Sequence, residues 1–350
     1  MRHKIISTLL ILALVVLIGS GYTQTMRKTG SSGAAILKVA IGARATAMAN
    51  AMTSEVGDVN LMFWNPAGIS IESGKTQVTF SYNNWIADIS HNAFGVSHSL
   101  GNWGTIAVGG MMAGIDGIEA FRDTQAGLDK VTYNTDPTFD FNASFFQLTY
   151  AKQFTDKLSL GVSAKWYSET IDGDGISAIA ADFGAVYKIG YRDLAIGARI
   201  QNIGSDPEYF YVPFSLPMSF SFGASMSVVK SDFFALKAAV DATKPLDAEQ
   251  LIFTGLEAAL YNNVFLRTGY KFNYMGVTDE YDSRQSYQVS EQVYRKHWWD
   301  RETYSRTDEG MSVGAGVSIP YSDYCLVVDY AWTNFELMDN VNRFSLTFKF

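Results

Sequence analysis

Apolar and polar side chains alternate with a period of two along most of the 350-residue chain, and turn residues interrupt the alternation at short intervals. The pattern predicts fourteen strands: 76–84, 91–100, 104–114, 142–153, 157–170, 176–189, 192–202, 215–229, 233–243, 250–261, 264–274, 310–319, 323–333 and 341–350. Successive strand side chains point to opposite faces. The last strand therefore sets Phe344, Leu346, Phe348 and Phe350 on one face and Ser345, Thr347 and Lys349 on the other.

The connections carry more information than the strands. Gly101–Trp103, Thr155–Asp156, Gly190–Tyr191, Lys230–Asp232, Asn262–Asn263 and Pro320–Ser322 are tight turns, whereas 115–141, 203–214 and 275–309 are long. Short and long connections alternating in this way suit an all-β, antiparallel, up-and-down transmembrane barrel with short turns at one membrane face and longer loops at the other. The parity places both termini on the short-turn side, expected to be periplasmic. Phe344, Phe348 and Phe350 then read as the C-terminal signal presented to a barrel-assembly machinery.

A lipid-facing charge in mid-membrane costs roughly 2–4 kcal/mol, so the charged strand faces must point into the lumen. Lys165, Asp182, Arg199, Glu257, Arg267 and Asp329 are the principal lumen charges, with Lys188, Lys237, Asp241 and Lys271 beside them. Both signs are present, which favours internal ion pairs over a pore selective for one sign.

Residues 24–75 lack the strand period. Between Ala34 and Met52 the residues are small and spaced as in a helix, with Ala43, Ala47 and Ala51 on one stripe. A barrel wider than eight strands is not filled by its own side chains, so this segment is expected to plug the lumen, with 76–350 forming the barrel. Arg44 would need a carboxylate from the wall, with Asp182, Glu257 and Asp329 as candidates. The aromatics and turn of Trp64, Asn65, Pro66 and Gly68 would wedge the plug in place, since proline holds Asn65 extended and Gly68 tolerates unusual backbone angles.

Composition agrees. Aromatic residues reach 14%, charged residues only 18%, and mean hydropathy is +0.02, as expected where lipid-facing and lumen-facing residues average out. Residues 1–23, with Arg2, His3 and Lys4 before an apolar run, read as a secretory signal peptide. The single cysteine, Cys325, allows no internal disulfide and reads as a small buried hydrophobe, while a net charge of −8 argues against nucleic-acid binding.

No catalytic, metal or cofactor constellation emerges. His91 and His98 are an odd number apart on one strand and face opposite ways. Asp172-Gly-Asp-Gly175 resembles the start of a calcium loop, but Phe183 stands where its acidic ligand should be, and a hairpin turn is the better reading. In 275–309, Tyr281, Tyr287, Tyr294, Trp298, Trp299 and Tyr304 among mixed charges have the composition of a partner-binding surface.

Three stretches carry a family resemblance: Leu37-Lys-Val-Ala-Ile-Gly-Ala-Arg-Ala-Thr-Ala-Met48, Trp64-Asn-Pro-Ala-Gly68 and Trp85-Ile-Ala-Asp88. They resemble the PorV/PorQ family of outer-membrane proteins, although Ala47-Met48-Ala49-Asn50 departs from the family's glycine-rich run. The resemblance implies a FadL-like fourteen-stranded barrel in the outer membrane of a Gram-negative bacterium. It also implies a non-enzymatic role in type IX secretion, in which translocon, sortase and cargo C-terminal domains are the partners besides outer-membrane lipid. The alternative is a FadL-like transporter of hydrophobic molecules, with Met111, Met112, Phe145 and Phe146 lining its path.

Overall fold

The computed structural model describes residues 32–70, 75–86, 89–120, 137–209, 211–248, 250–274, 306–335 and 340–350. The leader (1–23) and the loop tyrosines and tryptophans Tyr281, Tyr287, Tyr294, Trp298, Trp299 and Tyr304 lie outside the described residues.

Fourteen antiparallel strands close into a barrel. They are β1 (Thr76–Asn84), β2 (Ser90–Ser99), β3 (Thr105–Glu119), β4 (Thr138–Gln153), β5 (Leu158–Ile171), β6 (Asp174–Lys188) and β7 (Ala195–Gly204), followed by β8 (Ser219–Lys230), β9 (Phe234–Pro245), β10 (Gln250–Leu260), β11 (Val264–Tyr274), β12 (Arg306–Tyr321), β13 (Tyr324–Phe335) and β14 (Val341–Lys349). Each pairs with its neighbours in sequence, and β14 returns to β1, from Gln77 opposite Lys349 to Asn84 opposite Asn342. Closure leaves no sheet edge unpaired. Two residues on each side, Glu208–Tyr209 and Val212–Pro213, form a small separate hairpin between β7 and β8.

Strand identity and face agree with the alternation in the sequence; strand ends differ by a few residues. One difference is the start of β7, expected at 192. Arg192 and Asp193 instead take left-handed backbone angles (φ 51° and 55°), and their turn runs on to Leu194, which bonds back to Tyr191. The Asp172–Gly175 motif is the expected hairpin turn, with Asp172 and Gly173 both at positive φ.

Residues 32–70 fill the lumen. Turns of 3-10 helix at Ala35–Lys38, Val59–Phe63 and Pro66–Ile69 flank one α-helix, α1 (Ala43–Ala47). The helix is shorter than its alanine stripe predicts, because Gly42 (φ 89°) precedes it and Ala49 and Asn50 turn left-handed behind it (φ 49° and 71°). Ala51 falls beyond its end. The small residues here serve close approach to the wall and not helix propagation.

Thr76 exchanges backbone hydrogen bonds with Phe350, so the barrel begins and ends at one rim, the near rim, where the tight turns also lie. The first described residue of the plug, Ser32, does not lie there. Ser32 bridges to Ser215 in the β7–β8 connection, which belongs to the opposite, far rim. From Ser32 the described part of the plug descends the lumen from the far rim before turning into β1.

Candidate functional site

The lumen and its plug form the site. Four pairs of glycines sit directly opposite one another on neighbouring strands and face inward: Gly95 with Gly109, Gly161 with Gly184, Gly197 with Gly223, and Gly255 with Gly269. The plug lies against them, by its backbone at Gly161, Gly197, Gly255 and Gly269 and by the Met62 side chain at Gly95 and Gly109. A Cβ on Gly269 would sit 2.5 Å from the carbonyl carbon of Met48, and one on Gly161 or Gly184 would collide with Pro66 or Asn65. Gly314 meets Ala47 in the same way, and side-chain bonds from β1, β4, β9, β10 and β14 complete the contact around the wall.

On one side the contact is ionic. Lys237, Glu55, Arg44, Glu257, Arg267 and Asp329 form a chain of alternating charge through β9, the plug, β10, β11 and β13, with nitrogen–oxygen distances of 3.0, 2.8, 2.9, 2.7 and 2.6 Å. Of the three carboxylates expected for Arg44, only Glu257 takes it. Asp182 is held by Lys165 at 2.7 Å and Asp329 by Arg267. Glu55, inside the plug, is the partner the pattern did not reveal. Burial alone would raise its carboxyl, but Lys237 and Arg44 hold it down at about 2. Arg199, also facing inward, stacks its guanidinium 5.3 Å from the ring of Trp64.

The wedge residues make bonds that can be named, and Gly68 serves close packing without the unusual backbone angle expected of it. Trp64 Nε1 donates to the Ile41 carbonyl at 2.9 Å, and Asn65 Nδ2 donates to Thr53 at 2.5 Å while its oxygen caps the Ala67 N–H. Pro66 opens the turn that Asn65 caps, where its missing N–H costs nothing. Gly68 packs so tightly that a Cβ would lie 2.7 Å from the Glu55 carbonyl. On β9, Asp241 accepts from the Met52 and Thr53 N–H groups and the Thr53 hydroxyl.

Part of the opposite wall is apolar, beside the buried Lys165–Asp182 pair. Met111, Ala113, Phe145, Tyr167, Ile176 and Ala178 line β3 to β6, and Ile36, Leu37 and Ile41 of the plug cover them. Of the four residues expected along a transport path, Met111 and Phe145 belong to this slot. Met112 and Phe146 point outward, because adjacent strand positions face opposite ways. At the far rim, Lys38 Nζ meets Asp247 at 2.9 Å and the Ser32 hydroxyl donates to the same carboxylate. Burial opposes the charge, yet both partners keep Asp247 below the ordinary carboxylate range.

The outer face carries Phe344, Phe348 and Phe350, with Phe348 stacked on Tyr324 (5.7 Å) and Phe350 5.4 Å from Phe348. His91 faces inward, 3.1 Å from Asn83, and His98 outward against Thr76. Cys325 is half-buried beside the Ser318 hydroxyl, less enclosed than expected. Arg343 and Glu309 are inward charges that the sequence reading missed, although the alternation of β14 puts Arg343 on the lumen face with Ser345.

The fold is thus a closed fourteen-stranded barrel with an N-terminal segment in its lumen. Neither a protein-family model nor a curated protein sequence matches this chain. Among solved structures, it is similar to the CymD monoaromatic hydrocarbon channel at a TM-score of 0.54 and 12% identity, covering 89% of this chain and 97% of that one. The Pseudomonas putida toluene transporter TodX gives 0.52 at 10% identity over 87% and 96%, and a Pseudomonas aeruginosa FadL homologue 0.52 at 10% over 89% and 98%. At these identities the likeness is one of fold, and it is the FadL-like fold that the resemblance in the sequence implied.

Proposed function

We propose that the chain is a non-enzymatic outer-membrane protein that moves small hydrophobic molecules inward from the cell surface, its short-turn rim facing the periplasm. The observation that carries this reading is the apolar slot of β3 to β6. It is covered by the plug's own Ile36, Leu37 and Ile41. Specific hydrophobic sites are concave and mostly apolar. The fold shared with a monoaromatic hydrocarbon channel and a toluene transporter supports the same reading. The test is uptake of labelled toluene and of a labelled long-chain fatty acid by cells with and without the chain. Phe145→Asp should abolish any uptake that the wild type confers, and equal uptake in deletion and wild-type cells would overturn the reading.

A second reading, the PorV/PorQ-like shuttle of type IX secretion, draws on one observation. The stretches Leu37–Met48 and Trp64–Gly68 that carry that resemblance are also those that seal the lumen. A sealed barrel suits a membrane anchor whose outer loops bind cargo domains, the translocon or the sortase. Recovery of exported proteins with the full chain from outer membranes would favour it, and recovery of none would set it aside.

A further inference from the structure

The outer wall has a groove of about 490 Å³ where β14, β1 and β2 meet, across the seam that closes the barrel. Two rows of outward residues in register build it. Leu346, Phe80 and Phe94 form the lower row, and Phe344, Tyr82 and Asn92 the row above. Met112, opposite Asn92, closes one end. Between the rows the floor is backbone, because Ser81, Ala93 and Ser345 turn their side chains inward. Phe80, Tyr82, Met112 and Phe344 are each about half exposed and stand up as walls. One step beyond the groove toward the far rim, the next outward pair consists of amides, Asn342 opposite Asn84, with the Tyr330 hydroxyl donating to Asn342 at 2.7 Å.

We propose that this groove binds a single tail of a membrane lipid. The proposal rests on the membrane placement read above and not on what the lumen carries. Its volume falls within the ~300–1,000 Å³ of specific small-molecule sites. It is continuous with the lipid-facing belt, and its apolar part takes a hydrocarbon chain. The amides above, which are uncharged hydrogen-bonding groups, fit the ester and hydroxyl groups of a lipid backbone better than a phosphate. No charged residue lines it. A lipid seated here would brace the β1–β14 seam from outside while the plug braces it from within, through Ala43 N–H to Ser345 and Asn60 to Thr347.

Native mass spectrometry of the full chain, released from mild detergent and titrated with dioleoylglycerol and with dioleoyl phosphatidylethanolamine, tests this. The wild type should hold one molecule of either lipid through washing. Met112→Trp and Leu346→Trp, which fill the groove from opposite sides, should each weaken retention about tenfold, or about 1.4 kcal/mol. Leu266→Trp, on the outward face of β11 away from the groove, should leave it unchanged. Equal retention in the filled variants, or no retained lipid in a wild-type chain that inserts into vesicles and migrates as a folded barrel, overturns the groove and leaves membrane placement intact. A chain that does not insert overturns both.

Discussion

Arg44 of the plug and Glu257 of β10 meet through two hydrogen bonds, Nε to Oε2 at 2.9 Å and Nη2 to Oε1 at 3.1 Å. The pairing is two-pronged, so it fixes the plug's rotation as well as its height.

Removing one partner of a buried ion pair leaves an uncompensated charge and typically costs ~3–5 kcal/mol. Arg44→Met should fall near the lower end, about 3 kcal/mol, because Arg267 still neutralises Glu257 and Lys237 still reaches Glu55. Glu257→Gln should leave two arginines facing each other and cost at least as much. Urea-unfolding midpoints of refolded protein in detergent micelles measure both, and a double variant less stable than the sum of the singles would contradict the pairing.

The glycine contacts predict a steric response. Gly269→Val should push the plug away from β11, at a cost of about 1–3 kcal/mol for overpacking, and should raise ion conductance in planar bilayers. Gly175→Ala, whose added carbon meets only ordinary contacts, should do neither.

Acid should loosen the plug in a defined direction. The Glu55 carboxyl is lowered from 4.5 to about 2, so its stabilisation is complete above the unfolded value and fades as pH falls through that interval. The loss amounts to roughly 3 kcal/mol. Comparing unfolding midpoints at pH 6 and at pH 2, the wild type should lose more stability than Glu55→Gln, which has no such proton to take up. An equal loss would remove Glu55 from the account. Asp247, lowered by Ser32 and Lys38, should act in the same sense at the far rim.

The final aromatic should matter for closure. Phe350 bonds to Thr76 through both its N–H and its carbonyl, and its ring lies against Phe348 and Tyr324. A chain ending at Lys349 should give several-fold less of the compact, heat-modifiable form on gels of outer membranes. An undiminished yield would deny Phe350 that role.

The barrel was legible in the sequence because lipid outside and a packed lumen inside force a strict alternation, and strands such as β5 and β11 keep it from end to end. Leu160 and Trp166 face out while Ser163 and Lys165 face in, as the period requires. The plug was legible only as a segment without that period. Its pairings depend on residues roughly two hundred positions away, as with Arg44 and Glu257, and no local pattern encodes such partners. Glu55 is a case in point: one acidic residue in a small-residue stretch gives no hint that Lys237 and Arg44 both converge on it. The helix was overestimated for the converse reason, since alanines chosen for contact with wall glycines imitate alanines chosen for helix propensity.

The course of the plug, with Ser32 at the far rim and Lys75 at the near one, has a topological consequence. The chain is threaded through a hoop that its own last strand ties. A leading segment held outside until β14 met β1 would have to pass, bulky Trp64 and Phe63 included, through an opening already drawn shut. Wrapping the wall around its contents avoids that passage, and on such a route this molecule would be assembled loaded and not loaded after assembly.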